Sequence, residues 1–197
     1  FFKLMALTSL TKLEAVNTML AIIGESPVNS ITDSPSVDVT LSLQILDEVS
    51  RDVQSKGWHF NLEHEVVLSP NLAGEINLAS NVLRCDLEYN NTGDLNVVVR
   101  GSRLYDKKNH TYTFTADVKA TVVYGLDFTE LPHSAKNYIM IRAGRILQDR
   151  AIGSTRLHGF TQQDEMQAWA NLNEYEGWTG DHTIFDNFDS FDAIDRR

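Results

Sequence analysis

Apolar residues recur along this chain with two different periods, and the change from one to the other divides it. Leu13, Val16, Leu20 and Ile23 fall at helical spacing behind Thr11-x-x-Glu14. In that arrangement the Thr hydroxyl and the Glu carboxylate each satisfy a free amide of the first turn. Gly24 and Pro27 stop the run, which predicts a first helix over 11–23. Val37, Leu41, Ile45, Val49 and Val53 then form an i, i+4 stripe broadened by Leu46. Ser34-Pro35 before it predicts proline at the first helical position, and the helix ends near Gly57. From Trp58 to Tyr124 the pattern becomes β-rich, with strands predicted over Glu65–Leu68, Glu75–Leu78, Asn96–Arg100, Thr111–Thr115 and Val118–Tyr124. Pro70, Gly74 and Asn90-Asn91-Thr92-Gly93 break these runs apart. Val97 to Tyr105 reads as a hairpin turning at Gly101-Ser102, with glycine first as a type II′ turn requires.

Helical spacing returns after Leu131-Pro132. Tyr138, Ile141, Arg145 and Gln148 mark one side of a third helix and Ile139, Ala143 and Ile146 another, as far as Gly153. Thr161-x-x-Asp164 predicts the start of a fourth helix, through Met166, Trp169, Ala170 and Asn173 to about Gly177. The expected fold class is α+β. A four-helix bundle-like helical domain, 9–57 and 131–177, carries a small antiparallel β subdomain, 58–130, inserted between helices two and three. Residues 178–197 form an extended C-terminal arm in this reading. Within the arm, Phe185-Asp186, Phe188-Asp189, Phe191-Asp192 and Ile194-Asp195 repeat an apolar-acidic pair every three residues. A 3₁₀ or polyproline-like path lines such residues up, whereas on an α-helix they drift and on a strand they alternate. The arm therefore reads either as a segment that takes its conformation from a partner surface or as a frayed terminus.

With 197 residues, 42% of them hydrophobic, the chain can bury a sizeable core. Seventeen Lys and Arg against 27 Asp and Glu leave a formal charge of -10, so the surface as a whole offers no general grip on phosphate. An acidic wall past which DNA slides without adhering is compatible with the same electrostatics. Cys85 is the only cysteine, which excludes an intrachain disulfide and fits a reducing compartment. No apolar run approaches the roughly 20 residues that span a bilayer, and Phe1 to Leu10 lacks the features of a signal peptide. Membrane insertion is not expected, and the cytoplasm is the expected place of synthesis.

Chemistry-bearing motifs are sparse. The chain has no G-x-G-x-x-G, Walker loop, H-E-x-x-H or G-x-S-x-G. His59, His64, His110, His133, His158 and His182 are scattered, with no pair at the i, i+4 spacing of a helical metal site. Neither a cofactor nor a metal is expected. Cys85 sits in an alternating stretch, Leu83 to Leu87, and reads as a buried structural thiol. Glu63 and Glu65 are the one pair of acids that a glycoside hydrolase reading could use, with a solvated strand face as the plain alternative. Arg142, Arg145, Arg150 and Arg156 suit contact with phosphate or with a neighbouring acidic surface, and with an acidic arm present a contact between subunits is the economical reading.

Two blocks carry a resemblance. Ala15-Val16-Asn17-Thr18-Met19-Leu20-Ala21-Ile22-Ile23-Gly24-Glu25-Ser26-Pro27-Val28 and Ser55-Lys56-Gly57-Trp58-His59-Phe60-Asn61 resemble the N-terminal signature of the tail tubular protein A family of T7-like phages. Leu131-Pro132 and the run from Arg142 to Arg150 are similar to later parts of that family, so that 9–177 is covered in order. The resemblance implies a structural virion protein without catalytic residues or cofactor. It implies a head-to-tail adaptor, twelve copies of which form a ring under the portal protein, with the tail nozzle protein and the tail fibres attached below and phage DNA passing through the lumen without specific binding. In such a ring, Phe185, Phe188, Phe191, Ile194, Arg142 and Arg145 are the candidate interface residues. Twelve copies at -10 each would bring about 120 negative charges around the channel. Two other classes remain open at this stage: a polysaccharide hydrolase of the phage tail and a monomeric regulatory module that binds a host protein.

Overall fold

The computed structural model describes residues 8–33, 35–87, 95–151 and 155–180, with 155–161 described by their backbone alone. The chain folds in the order α1 (Lys12–Ile23), α2 (Val37–Gln54), β1 (Leu62–Leu68), β2 (Val82–Leu87), β3 (Val97–Arg100), β4 (Arg103–Asp106), β5 (Val118–Tyr124), α3 (His133–Ala151) and α4 (Thr155–Thr179). It is a mixed α+β structure whose strands pair antiparallel throughout the described sheets.

Helix α1 starts and stops for the reasons its sequence states. Thr11 Oγ1 accepts from the Glu14 amide at 3.2 Å, and the Thr11 amide donates to Glu14 Oε2 at 2.8 Å, which completes the capping box. Gly24, at φ 83°, takes the left-handed conformation that ends the helix. α2 begins two residues later than its Ser-Pro signal suggests. Ser36, not Ser34, is the N-cap, with its hydroxyl accepting from the Val39 amide at 3.3 Å, so Pro35 stands outside the helix.

α3 is the central helix, in contact with α1, α2 and α4. Ala143 and Gly144 face inward, and a side chain at Gly144 would meet Ile22 Cδ1 at 2.6 Å, so α1 and α3 approach closely there. Val16, Leu20, Ile45, Leu46, Ile139, Leu147 and Leu172 are among the buried side chains that fill the space between the helices. α4 departs from expectation at its start. It is already helical from Thr155, so the Thr161-x-x-Asp164 pattern lies within the helix and caps nothing. No proline stands between 155 and 163 to halt it, and a capping motif alone does not break a continuous helical backbone.

The sheet has the order β1-β5-β2, with β3 and β4 forming a separate two-stranded hairpin. Its own core contains Ile76, Leu78, Cys85, Val97, Leu104, Phe114, Val118, Ala120 and Val122. The β3–β4 turn at Gly101-Ser102 has the expected sign pattern, Gly101 at φ 64° and a negative φ at Ser102. Two of the predicted strands are instead single bridges. Glu75 pairs with Thr113, Asn77 with Arg103 and Thr111 with Asp106, each pairing too short to continue as a ladder. β2 occupies the alternating stretch around Cys85, where Arg84 and Asp86 are exposed and Cys85 is buried.

Candidate assembly interface

The two blocks singled out by sequence act as fastenings. After α1, the Asn17 side chain closes on the loop that follows: Nδ2 donates to the Val28 carbonyl at 3.0 Å and Oδ1 accepts from the Val28 amide at 2.8 Å. One amide side chain thus imitates a strand partner and pins the loop beneath its own helix. The second block is the corner between α2 and β1. Gly57, at φ 77°, reverses the chain where a side chain would meet Arg84 Nη2 at 2.8 Å and Val123 Cγ2 at 2.9 Å. Both the backbone conformation and the space select glycine.

Around that corner the side chains of Asn61, Gln54 and Trp58 all find hydrogen-bond partners. Asn61 Oδ1 accepts from the Trp58 amide at 2.8 Å, while its Nδ2 donates to the carbonyls of Gln54 at 2.9 Å and Tyr124 at 2.7 Å. Gln54 in turn receives the Leu126 amide at 2.7 Å and donates to the Leu126 carbonyl at 3.1 Å. Trp58 Nε1 donates to the Val53 carbonyl at 2.7 Å. Helix and sheet are joined by hydrogen bonds between buried and partly buried groups, where each lost partner would cost about 1–3 kcal/mol. The Trp58 ring stacks with Phe60 and meets Trp169 of α4 edge-on, 5.4 Å between centroids. Tyr138 and the Lys56 ammonium approach the same Trp169 ring, at 5.1 and 4.2 Å. About two turns farther along α4, the His59 amide donates to Glu176 Oε1 at 2.6 Å.

Arg142 and Arg145 project from one side of α3 into a cluster of acids. Arg142 pairs with Asp52 of α2 at 2.7 Å and with Glu165 of α4 at 3.7 Å. Arg145 pairs with Glu165 and, at 3.2 Å, with Asp149 one turn along its own helix. The hydrogen bond to Glu165 raises the Arg145 guanidinium further above its ordinary value, against the opposing effect of burial. The two arginines tie three helices together, and their side chains stay 25% and 21% exposed. Arg150 lies farther along α3, where it reaches Glu48 of α2 through two contacts of 3.3 Å. The side chain of Arg156 and the arm residues Phe185, Phe188, Phe191 and Ile194 lie outside the described ones.

The chemical candidates land elsewhere. Glu63 and Glu65 are both exposed on β1, whose register shifts between Glu63 and Val66, and Glu65 adopts a positive φ of 55°. Lys119 of β5 stands 3.8 Å from Glu65. Burial, helped by the charge of Asp86, pushes the Cys85 thiol up to about 11, the opposite of what a nucleophile requires. Among the described residues, no group of three or more His, Cys, Asp or Glu side chains is placed to hold a metal ion. Among them, too, no helix is long and apolar enough to cross a membrane.

Sequence reasoning missed Asp52 and Glu165 as partners of the arginines, and Trp169 as the centre of the aromatic cluster. The only available signal was the spacing of Glu165 and Trp169 at i, i+4 on one predicted helix.

Comparison with known proteins bears on what these fastenings serve. A family model described as tail tubular protein matches residues 13–182. Tail tubular protein A of Klebsiella phage KP34 is 34% identical over 130 residues, which cover 65% of this chain and 66% of that protein. The matched stretch thus spans just under two thirds of the relative. Because the family model takes in α1, both signature blocks and all of α4, this chain belongs to the tail tubular protein family.

Proposed function

We propose that this chain is a structural subunit of the tail of a short-tailed phage, assembled in the host cytoplasm, and that it acts as the adaptor between head and tail. In this reading twelve copies close into a ring that binds the portal protein above and the nozzle protein and tail fibres below. Phage DNA passes through without specific binding, favoured by the net charge of -10 per subunit. The proposed units are a helical domain of 9–57 with 131–177, an inserted β subdomain of 58–130 and an arm of 178–197.

The observation that carries the proposal is the family match over 13–182. The character of the signature residues supports it. Asn17, Gly57, Trp58 and Asn61 hold backbone to backbone, as a scaffold requires. A ring places a different patch of each subunit against the next, so one side must present groups that the other can satisfy. The proposed contact uses Phe185, Phe188, Phe191 and Ile194 on one side. The partly exposed arginine face of α3, Arg142 and Arg145, serves on the other.

The test is the mass of the purified protein by size-exclusion chromatography with light scattering, alone and mixed with its cognate portal protein. A ring, or a large complex formed only with portal, is the expected result. A monomer indifferent to portal would overturn the adaptor reading.

A further inference from the structure

A groove of about 360 Å³ runs between α1, α3 and α4 on the outside of the helical core. Its lining includes Ile22 of α1, Met140 and Ile141 of α3 and Ala168 of α4, with Asp164 and Asn171 toward its two ends along α4. Ile22, Met140 and Ile141 are half-buried. A contiguous apolar trough of this kind has water against surface that a second apolar group would cover favourably, and methionine adapts its shape to such a group.

We propose that residues 181–197 fold back along α4 and seat Phe185 and Phe188 in this groove of their own chain. The occupant follows from reach and spacing. The segment begins directly after Gly180, nine helical residues or about 14 Å beyond Asn171. Four to five extended residues, at about 3.3 Å each, cover that distance and bring Phe185 level with Asn171. From there a path with three residues per turn advances about 9 Å to Phe188 and keeps both rings on one side of the backbone. Asn171 to Asp164 is seven helical residues, about 10 Å, so the two rings match the two ends of the groove. Asp186 and Asp189 then point away from the groove and from Asp164 at its rim. An arm held in this way is unavailable to any other surface until something displaces it. The inference stands on the groove and the reach, whatever the arm binds afterwards.

Peroxide footprinting of the methionines in the full chain tests it. Dilute peroxide converts an accessible thioether to the sulfoxide, and mass spectrometry reads each methionine separately. Met166, on the open face of α4 and 67% exposed, serves as the internal reference. Replacing Phe185 and Phe188 together, F185A with F188A, is expected to raise the oxidation rate of Met140 about tenfold while that of Met166 stays constant. Equal Met140 rates in the parent and the double variant would overturn the proposal. Protection of Met140 that disappears on dilution would also overturn it, because the covering arm would then belong to a second copy. Circular dichroism checks that both proteins are equally folded.

Discussion

Two regions of this molecule bury apolar surface in different surroundings. In the helical core, α3 is touched by α1, α2 and α4, and its interior is closed off by the Asp52–Arg142–Glu165–Arg145 ion cluster and the rings around Trp169. In the sheet, β5 lies between β1 and β2, and β1 keeps an outer edge. That edge is broken by the irregularity between Glu63 and Val66 and lined with exposed charge, devices that discourage another strand from pairing with it. The helical region is thus built to hold shape. The sheet is built to end without recruiting neighbours. What joins them is a small set of buried hydrogen bonds around Asn61 and Gln54.

The comparison can be broken most directly from inside. Ile139→Ala removes a fully buried side chain from the helical core, where the surroundings cannot collapse, and is expected to cost about 4 kcal/mol. Leu104→Ala removes an equally buried side chain from the smaller core and is expected to cost about 2–3 kcal/mol, because an open-edged sheet relaxes more. Urea unfolding of the two variants at constant slope measures the difference, and equal losses would show that the two cores resist relaxation alike.

Asn61→Ala acts on the joint. It strands the Trp58 amide, takes the side-chain donor from the Tyr124 carbonyl and leaves the Gln54 carbonyl with the Gly57 amide alone, an expected loss of about 2–3 kcal/mol. The sharper outcome concerns cooperativity. The parent is expected to melt in one step, and the variant to show separate far-ultraviolet transitions for helix and sheet. A single transition in the variant would mean that the corner is not what couples them.

Glu165→Gln removes the carboxylate shared by Arg142 and Arg145. These groups are partly exposed, so the expected loss is about 1–2 kcal/mol, shrinking as salt is added. The same change at Glu75, which pairs with Arg103 in the sheet, is expected to have a smaller effect because both side chains there are more exposed.

The smallest effect is a dependence on pH confined to the sheet. Burial pushes the Asp106 carboxyl up, but hydrogen bonds from the Asn109 side chain and the Lys108 and Asn109 amides outweigh it and hold it below its ordinary value. A folded value below the unfolded one means that the carboxylate stabilises the fold at neutral pH. That contribution begins to fade below about pH 4, as the unfolded value is reached, and is lost through the lower folded value. Amide protection in the 106–111 loop, corrected for the intrinsic slowing of exchange in acid, is therefore expected to fall before that of α3 does. Asp106→Asn is expected to abolish the difference.

Much of the helical region is legible in the sequence because its signals are local. The Thr11 box, Gly24 and the i, i+4 stripe of α2 act within a turn or two of themselves. The start of α4 was not legible, since Thr161 has the chemistry of a cap but no break stands before it. Among the strands, β5 is rich in β-branched residues and its ends are legible in the sequence, Val118 to Tyr124. Glu75–Leu78 and Thr111–Thr115 have strand-like composition yet make only isolated bridges, since how far a pairing extends is set by the partner segment and not by composition. The arginines of α3 were legible as a group. Their partners Asp52 and Glu165 come from other helices, and no periodicity in one segment reports an acid supplied by another.

The Asn17 clasp has a consequence for time. It joins residues 11 apart in sequence, whereas the Gln54–Leu126 bonds at the corner join residues 72 apart. A short loop closes in tens of nanoseconds, and each doubling of the span adds about 0.6 kcal/mol of closure entropy. The end of α1 can therefore be fastened while most of the chain is still searching, before the strands have met. The corner, which needs α2, β1 and the stretch after β5 together, closes late. As the protein folds, the first signature block secures a local piece early, and the second completes the whole only when all its parts have arrived.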